Sequence, residues 1–198
     1  MIAQRLVPEK NDGLLTYAKS LLGATLERGP VRIRITEVEA YAGPLDPASH
    51  AYTRTPRSEP MYGPPGHAYC YFTYGLHWCL NVVWGPPGTA AGVLLRAGEV
   101  IAGHQLVRER RGTKLAERDL ARGPGRIGSC LAIGPDDVGL DLVNGDDLLL
   151  VPRLGPEPII VVGPRVGISQ AADFPWRFSI MGDRTVSPYK RHPKAGTS

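Results

Sequence analysis

Two carboxylates, Glu37 and Glu39, stand two residues apart at the end of the run Arg32-Ile33-Arg34-Ile35-Thr36-Glu37-Val38-Glu39. Alternation of polar and apolar residues predicts a half-buried strand here. Residues two apart on a strand share a face and lie about 6.6 Å from each other along the chain, with Val38 turned the other way. Two carboxylates so placed form either a solvated edge or an acid/base pair. Position favours chemistry for Glu39, which ends the strand and enters a long loop through Ala40-Tyr41. Reactive side chains gather where strand ends meet loops.

The second concentration of chemistry-bearing side chains is Tyr69-Cys70-Tyr71-Phe72-Thr73-Tyr74-Gly75-Leu76-His77-Trp78-Cys79-Leu80-Asn81. It holds six rings, His77 included, in a chain that is only 7% Phe, Tyr and Trp. Tyr69 and Tyr71 alternate, Tyr74 falls one residue out of step, and Tyr74-Gly75 reads as a tight turn between two strands. A hairpin with a tyrosine at its tip and flat rings behind it suits a wedge into a base stack and a platform for the base pushed out. The same pattern also fits an apolar strand pair in a core.

The elements that must position these groups follow from the flanking pattern. Asn11 or Asp12 can cap a helix whose Leu14, Leu15, Ala18, Leu21 and Leu22 share a face, with Gly23 as its stop. Residues 42–66 form a long Pro- and Gly-containing connection, and loops of that length usually carry function or lack order. Gly85 to Gly92 is a turn, and Val93-Leu94-Leu95-Arg96 resumes a strand. A helix is expected over Glu99 to Arg111 and a short one over Leu115 to Ala121. Gly123-Pro124-Gly125 opens a third helix around Ile127 to Ile133. Leu148-Leu149-Leu150-Val151 and Ile159-Ile160-Val161-Val162 read as buried strands. The polar, basic tail from Thr185 is expected to be loosely held, as are the first few residues. Strands outnumber helices with no βαβ rhythm, so the predicted class is α+β, a single domain over residues 1–198.

Composition narrows the partners. The 198 residues can bury a full core, and the net charge of +4 with a pI of about 9.1 favours polyanions. Three cysteines, Cys70, Cys79 and Cys130, form neither a disulfide framework nor a CxxC pair. His50 has no second histidine at ligand spacing, so no metal is expected. No apolar run approaches a membrane span and Met1-Ile2-Ala3-Gln4-Arg5 has no signal-peptide character. A cytoplasmic protein without cofactors is expected.

Several segments together resemble the alkyladenine (3-methyladenine) DNA glycosylase family. They are Thr36-Glu37-Val38-Glu39-Ala40-Tyr41, His50, Thr55-Pro56-Arg57, the Tyr-X-Tyr-X-X-Tyr-Gly run, Asn81 and Val93-Leu94-Leu95-Arg96-Ala97. Gly123-Pro124-Gly125-Arg126, Arg165-Val166-Gly167-Ile168 and Pro175-Trp176-Arg177-Phe178 continue the series. The resemblance covers about residues 10 to 187 in the family's order, with Arg126 where a lysine is usual and His77-Trp78 where other aromatics are. It implies a curved antiparallel or mixed sheet with surrounding helices and a protruding hairpin.

The resemblance also implies roles. Glu39 would be the general base that activates water, and Arg96 would help hold that water. Tyr41, His50 and Tyr71 would stack around a flipped base, Tyr74 would fill the gap in the duplex, and Asn81 would disfavour guanine's exocyclic amine. Gly123, Gly125 and Arg126 would contact the DNA backbone. No lysine falls in the matched site segments, which implies a monofunctional enzyme without a Schiff base or strand cleavage. The partner would be double-stranded DNA holding damaged purines, searched by a monomer. The choice among 3-methyladenine, 7-methylguanine, hypoxanthine and ethenoadenine stays open, and no residue stands out as an acid for neutral lesions. Two rivals remain: a non-catalytic damaged-base or nucleic-acid module, and a hydrolase of small nucleosides using Glu37 and Glu39 as a pair.

Overall fold

The structure is a computed structural model that describes residues 12–196. The expected cap at Asn11 and the loose first residues lie outside that range. Helix α1 (Asp12–Ser20) buries Leu14 and Ala18, and Gly23, at φ 82°, turns the chain into β1 (Thr25–Arg28). Strand β2 (Val31–Tyr41) follows, then the long connection, then β3 (Ala68–Thr73) and β4 (His77–Val83). Next come β5 (Gly92–Ala102), α2 (His104–Arg111), α3 (Pro124–Cys130), β6 (Leu149–Val151), β7 (Ile160–Gly163) and β8 (Arg177–Ile180). Every strand pairing is antiparallel, in the order β3-β4-β5-β2-β1-β6, with β8 joining β2 to β7. The fold is α+β, as the pattern predicted.

Strand β2 is the axis of the sheet because it pairs with β1, β5 and β8. Its first half alternates buried Ile33 and Ile35 with Arg32 and Arg34; from Thr36 to Ala40 every residue is buried. Two register shifts separate these halves. Ile35 faces Gly98 and Glu37 faces Ala97, which leaves Thr36 extra; then Val38 faces Leu95, which leaves Arg96 extra. Such bulges bend strands and re-aim side chains. Here the bulge on β5 falls on Arg96, which reaches both carboxylates of β2.

Helix α3 packs on β4, and glycine makes this possible. A Cβ on Gly128 would meet the Trp78 carbonyl oxygen at 2.0 Å, and one on Gly125 would meet the His77 Cβ at 2.7 Å. The main core joins α1, the sheet and α3. A smaller cluster of Ala51, Met61, Tyr69, Val83 and Ala90 pins the 42–66 connection over the hairpin. That connection holds two short 3-10 turns, Gly43–Leu45 and Glu59–Tyr62.

Four expectations need correction. Residues 99–102 continue β5 instead of starting a helix, because Arg34 pairs with Glu99 and Ile33 with Val100. Residues 115–121 form only the 3-10 turn Glu117–Asp119. Strand β7 lies at the sheet's edge with Ile159, Val161 and Val162 exposed, and β6 is half-buried. The tail begins tightly held, with Thr185 and Ser187 buried. Among the described residues no helix is long and apolar enough to cross a membrane.

Candidate active site

The cavity end of β2, the β3–β4 hairpin, the 42–66 connection and the turn at 166–168 enclose a cavity of about 260 Å³. Glu39, Tyr41 and Arg96 line it from the sheet, Tyr71, Tyr74 and Asn81 from the hairpin, and His50 from the connection. These seven residues, far apart in sequence, share one space. Gly123, Gly125 and Arg126 do not line it, although Pro124 does. Gly123 starts α3 at φ 137°, and Arg126 donates to the Asp119 carbonyl at 3.1 Å.

Glu39 is fully buried. Its Oε1 accepts from the Val166 backbone N–H at 2.8 Å and lies 3.4 Å from Arg96 Nε, while its Oε2 accepts from the Tyr41 hydroxyl at 2.8 Å. Burial first, and the Glu39 charge second, raise the Tyr41 hydroxyl well above its ordinary pKa, so it remains a donor. Arg96 Nε donates to Ser187 Oγ at 3.2 Å and sits 3.0 Å from Glu37 Oε1. Its terminal nitrogens have no hydrogen-bond partner among the described residues, so donors remain on the residue that lines the cavity.

Glu37 differs. Its Oε1 accepts from Arg177 Nε at 2.6 Å and from Ser187 Oγ at 3.0 Å, and its Oε2 accepts from the Ser187 N–H at 2.7 Å. It is as buried as Glu39 but is not part of the cavity lining. The two carboxylates share a face, as a period of two requires, yet only one meets the cavity.

The aromatic wall combines an edge contact with a tilted one. His50 lies edge-on to Tyr71 with centroids 4.5 Å apart, and Tyr69 is 5.6 Å from Tyr71. The Tyr69 hydroxyl is 2.9 Å from His50 Nδ1. Desolvation, then the charge of Arg57, pushes His50 down to about 4, so its ring is neutral near pH 7. Arg57 lies over the Tyr71 ring at 5.2 Å. Burial raises the Tyr71 hydroxyl above its ordinary pKa. Asn81 is buried and donates to the Tyr69 carbonyl at 3.0 Å. Tyr41 is held by Arg165, whose guanidinium is 4.6 Å from the ring centroid and pairs with Asp46 at 2.5 Å and 2.9 Å.

At the hairpin tip, Tyr74 and Gly75 lie at φ 52° and 64°, the left-handed pair of a type I′ turn. The backbone is fixed by the turn while the Tyr74 ring is 89% exposed. Cys70, Cys79 and Cys130 are buried free thiols, all raised by desolvation, which fits packing and not reactivity. Among the described residues no group of three or more His, Cys, Asp or Glu could hold a metal ion.

Sequence reasoning assigned no role to Tyr69 or to the Val166 N–H. Tyr69 carried a signal, as a member of the aromatic run. A main-chain donor carries none, because every residue type but proline supplies the same N–H.

Comparison with known proteins gives the family. A family model described as methylpurine-DNA glycosylase (MPG) matches residues 10–184. A Frankia casuarinae protein is 51% identical, covering 88% of this chain and 87% of its own length. A Nocardia farcinica protein is 48% identical, with 91% and 89% covered, and a Cutibacterium acnes protein is 52% identical, with 87% and 94% covered. Each of the three bears the name "Putative 3-methyladenine DNA glycosylase". A match of this extent, over the same segments that build the cavity, makes the chain a member of the methylpurine-DNA glycosylase family.

Proposed function

We propose that this protein is a monofunctional DNA N-glycosylase that takes an alkylated or deaminated purine out of the duplex and hydrolyses its bond to the sugar. The observation that carries the reading is Glu39. It is a buried carboxylate at an aromatic-walled cavity, beside an arginine with free donors and within the same enclosure as an exposed tyrosine on a rigid turn.

The chemistry runs as follows. The Tyr74 ring enters the stack and the target nucleotide turns outward, at a cost of a few kcal/mol that is lower for a weakened pair. The base slides among Tyr41, His50 and Tyr71, where stacking contributes about 1–3 kcal/mol. A purine made cationic by alkylation gains about 0.5–2 kcal/mol more from the tyrosine faces. Asn81 narrows the cavity against an exocyclic amine. Arg96 and Glu39 hold a water below C1′. Its oxygen bonds to C1′ as the C1′–N bond breaks, Glu39 takes the proton, and a cationic purine leaves neutral, whereas a neutral purine leaves as its anion and takes a proton from solvent water. Glu39 also opposes the positive charge that develops on the sugar in the transition state. The Gly123–Arg126 corner, joined to the cavity through Pro124, contacts the DNA backbone.

Two observations weigh against the hydrolase of small nucleosides. Glu37 is filled by its own donors and lies outside the cavity lining, which disfavours a Glu37–Glu39 pair. A nucleoside in free solution has no use for an exposed ring on a rigid turn. The test is release of free base from duplexes carrying 3-methyladenine, 7-methylguanine, hypoxanthine or ethenoadenine. Release from at least one, with no release from mononucleosides, is expected. Duplex binding without release would leave a non-catalytic module. No lysine lines the cavity among the described residues, so borohydride should trap no covalent complex. A trapped complex would remove the monofunctional assignment.

A further inference from the structure

The match to the family model ends at residue 184. The chain that follows, 185–196, carries Lys190, Arg191, His192 and Lys194 and not one Asp or Glu. It is nevertheless tied down along its length. Ser187 donates twice to Glu37, Arg122 donates to the Val186 carbonyl at 2.9 Å, and Arg177 donates to the Ser187 carbonyl at 2.8 Å. The Gly167 N–H then donates to the Lys190 carbonyl at 3.0 Å, and Gly167 lines the cavity. One residue on, Arg191 pairs with Asp173 at 2.6 Å.

Lys190 and Lys194 are exposed, and among the described residues neither has a carboxylate within ion-pairing distance. Two unpaired ammonium groups on an acid-free stretch, anchored at the edge of the cavity, create a positive potential where the strand holding an extruded nucleotide must pass. A lysine serves phosphate as a point charge and needs no fixed geometry. A loose tail would lose conformational entropy on gripping DNA, whereas this backbone is already ordered by its hydrogen bonds.

We infer that the segment 188–196 is a phosphate-binding rim, with Lys190 and Lys194 gripping the DNA backbone beside the cavity. The inference rests on the reading that the cavity takes a base from duplex DNA.

The test is the salt dependence of binding to an undamaged duplex, compared between the wild-type chain, the K190Q/K194Q double variant and the K190R/K194R double variant. Thermal unfolding of all three checks the fold. With about 0.9 of log–log slope per neutralised phosphate, the Gln variant should lose about 1.8 from the slope. Its deficit in association constant should therefore shrink roughly tenfold between 50 and 200 mM salt. The Arg variant should keep the wild-type slope. A Gln variant with the wild-type slope overturns the rim, and so does an Arg variant that loses as much slope as the Gln variant. Base release by the wild-type chain is read separately. A slope change without any release would strike down the glycosylase reading while supporting a nucleic-acid-binding rim, and release with equal slopes would do the reverse.

Discussion

The closed region around Glu37 and the open region around Glu39 use the same residue type, on the same face of β2, with the same arginine between them. Around Glu37, donors from Arg177, from the Ser187 amide and from the Ser187 hydroxyl take up both oxygens. Around Glu39, the Val166 amide and the Tyr41 hydroxyl hold the carboxylate in place while it still borders the cavity. A buried ion loses several kcal/mol of solvation unless its partners restore it. Glu37 is restored by the protein alone, so it acts as a frame that fixes Arg96. Glu39 leaves part of that task to whatever enters the cavity. What separates the structural carboxylate from the proposed general base is the lone pair left unclaimed at the cavity, not the residue or the strand.

Exchanging the two residues' properties should break this contrast if it is wrong. Glu39→Gln retains an oxygen for the Val166 N–H but cannot take a proton from water. Single-turnover base release should fall by about 10²–10⁴-fold, the usual share of a general base, with the unfolding transition nearly unmoved. Glu37→Ala instead leaves the partly buried Arg96 and Arg177 facing an empty site. Breaking a buried pair in this way costs about 3–5 kcal/mol, readable in urea unfolding. The contrast fails if Glu37→Gln slows release as much as Glu39→Gln does while stability holds.

The division between the frame and the proposed general base was only half legible in the sequence. A period of two placed Glu37 and Glu39 on one face, and Gly75 marked the turn because glycine takes a positive φ freely, whereas the positive φ of Tyr74 carried no such signal. The bulges that aim Arg96 were hidden, since register is a property of two strands together. Residues 99–102 read as helix because local propensity allows it, and pairing with Arg34 and Ile33 overrode that preference. The tail read as loose because Ser187 is an ordinary polar residue until the buried oxygens of Glu37, 150 positions away, require its donors. Strand β7 read as buried because its side chains are apolar, yet at the sheet's edge much of that apolar surface stays exposed.

The hairpin extends the contrast between closed and open to the backbone. At Tyr74 the main chain is locked by the turn and the side chain touches little, being 89% exposed. Tyr74→Ser should leave the fold intact and weaken seating of the extruded base by about 1–3 kcal/mol, the scale of one stacking contact. The readout is 2-aminopurine fluorescence next to the lesion, whose flipping signal should drop. An unchanged signal would mean that the exposed ring is not the wedge. Gly75→Ala meets no neighbour, but at φ 64° it should cost about 1 kcal/mol by strain alone.

The last effect belongs to His50, on the open side. Its folded pKa of about 4 lies below the ordinary value of 6.5, set by desolvation first and by Arg57 second. Between those values the unfolded chain binds more protons than the folded one, so this residue makes stability fall as pH drops from 6.5 towards 4 and adds no slope above that window. Urea unfolding at pH 7, 6 and 5 should show the wild-type chain losing more stability than His50→Asn on acidification. The comparison between the two chains removes the background of the other histidines. Base release should show no inflection from His50 between pH 6 and 8, because a neutral ring there can stack on a cationic purine without repelling it. An inflection near pH 6.5 that vanishes in His50→Asn would mean that the open side carries a titrating charge, and the contrast with the filled site of Glu37 would then rest on proton uptake instead of on unclaimed lone pairs.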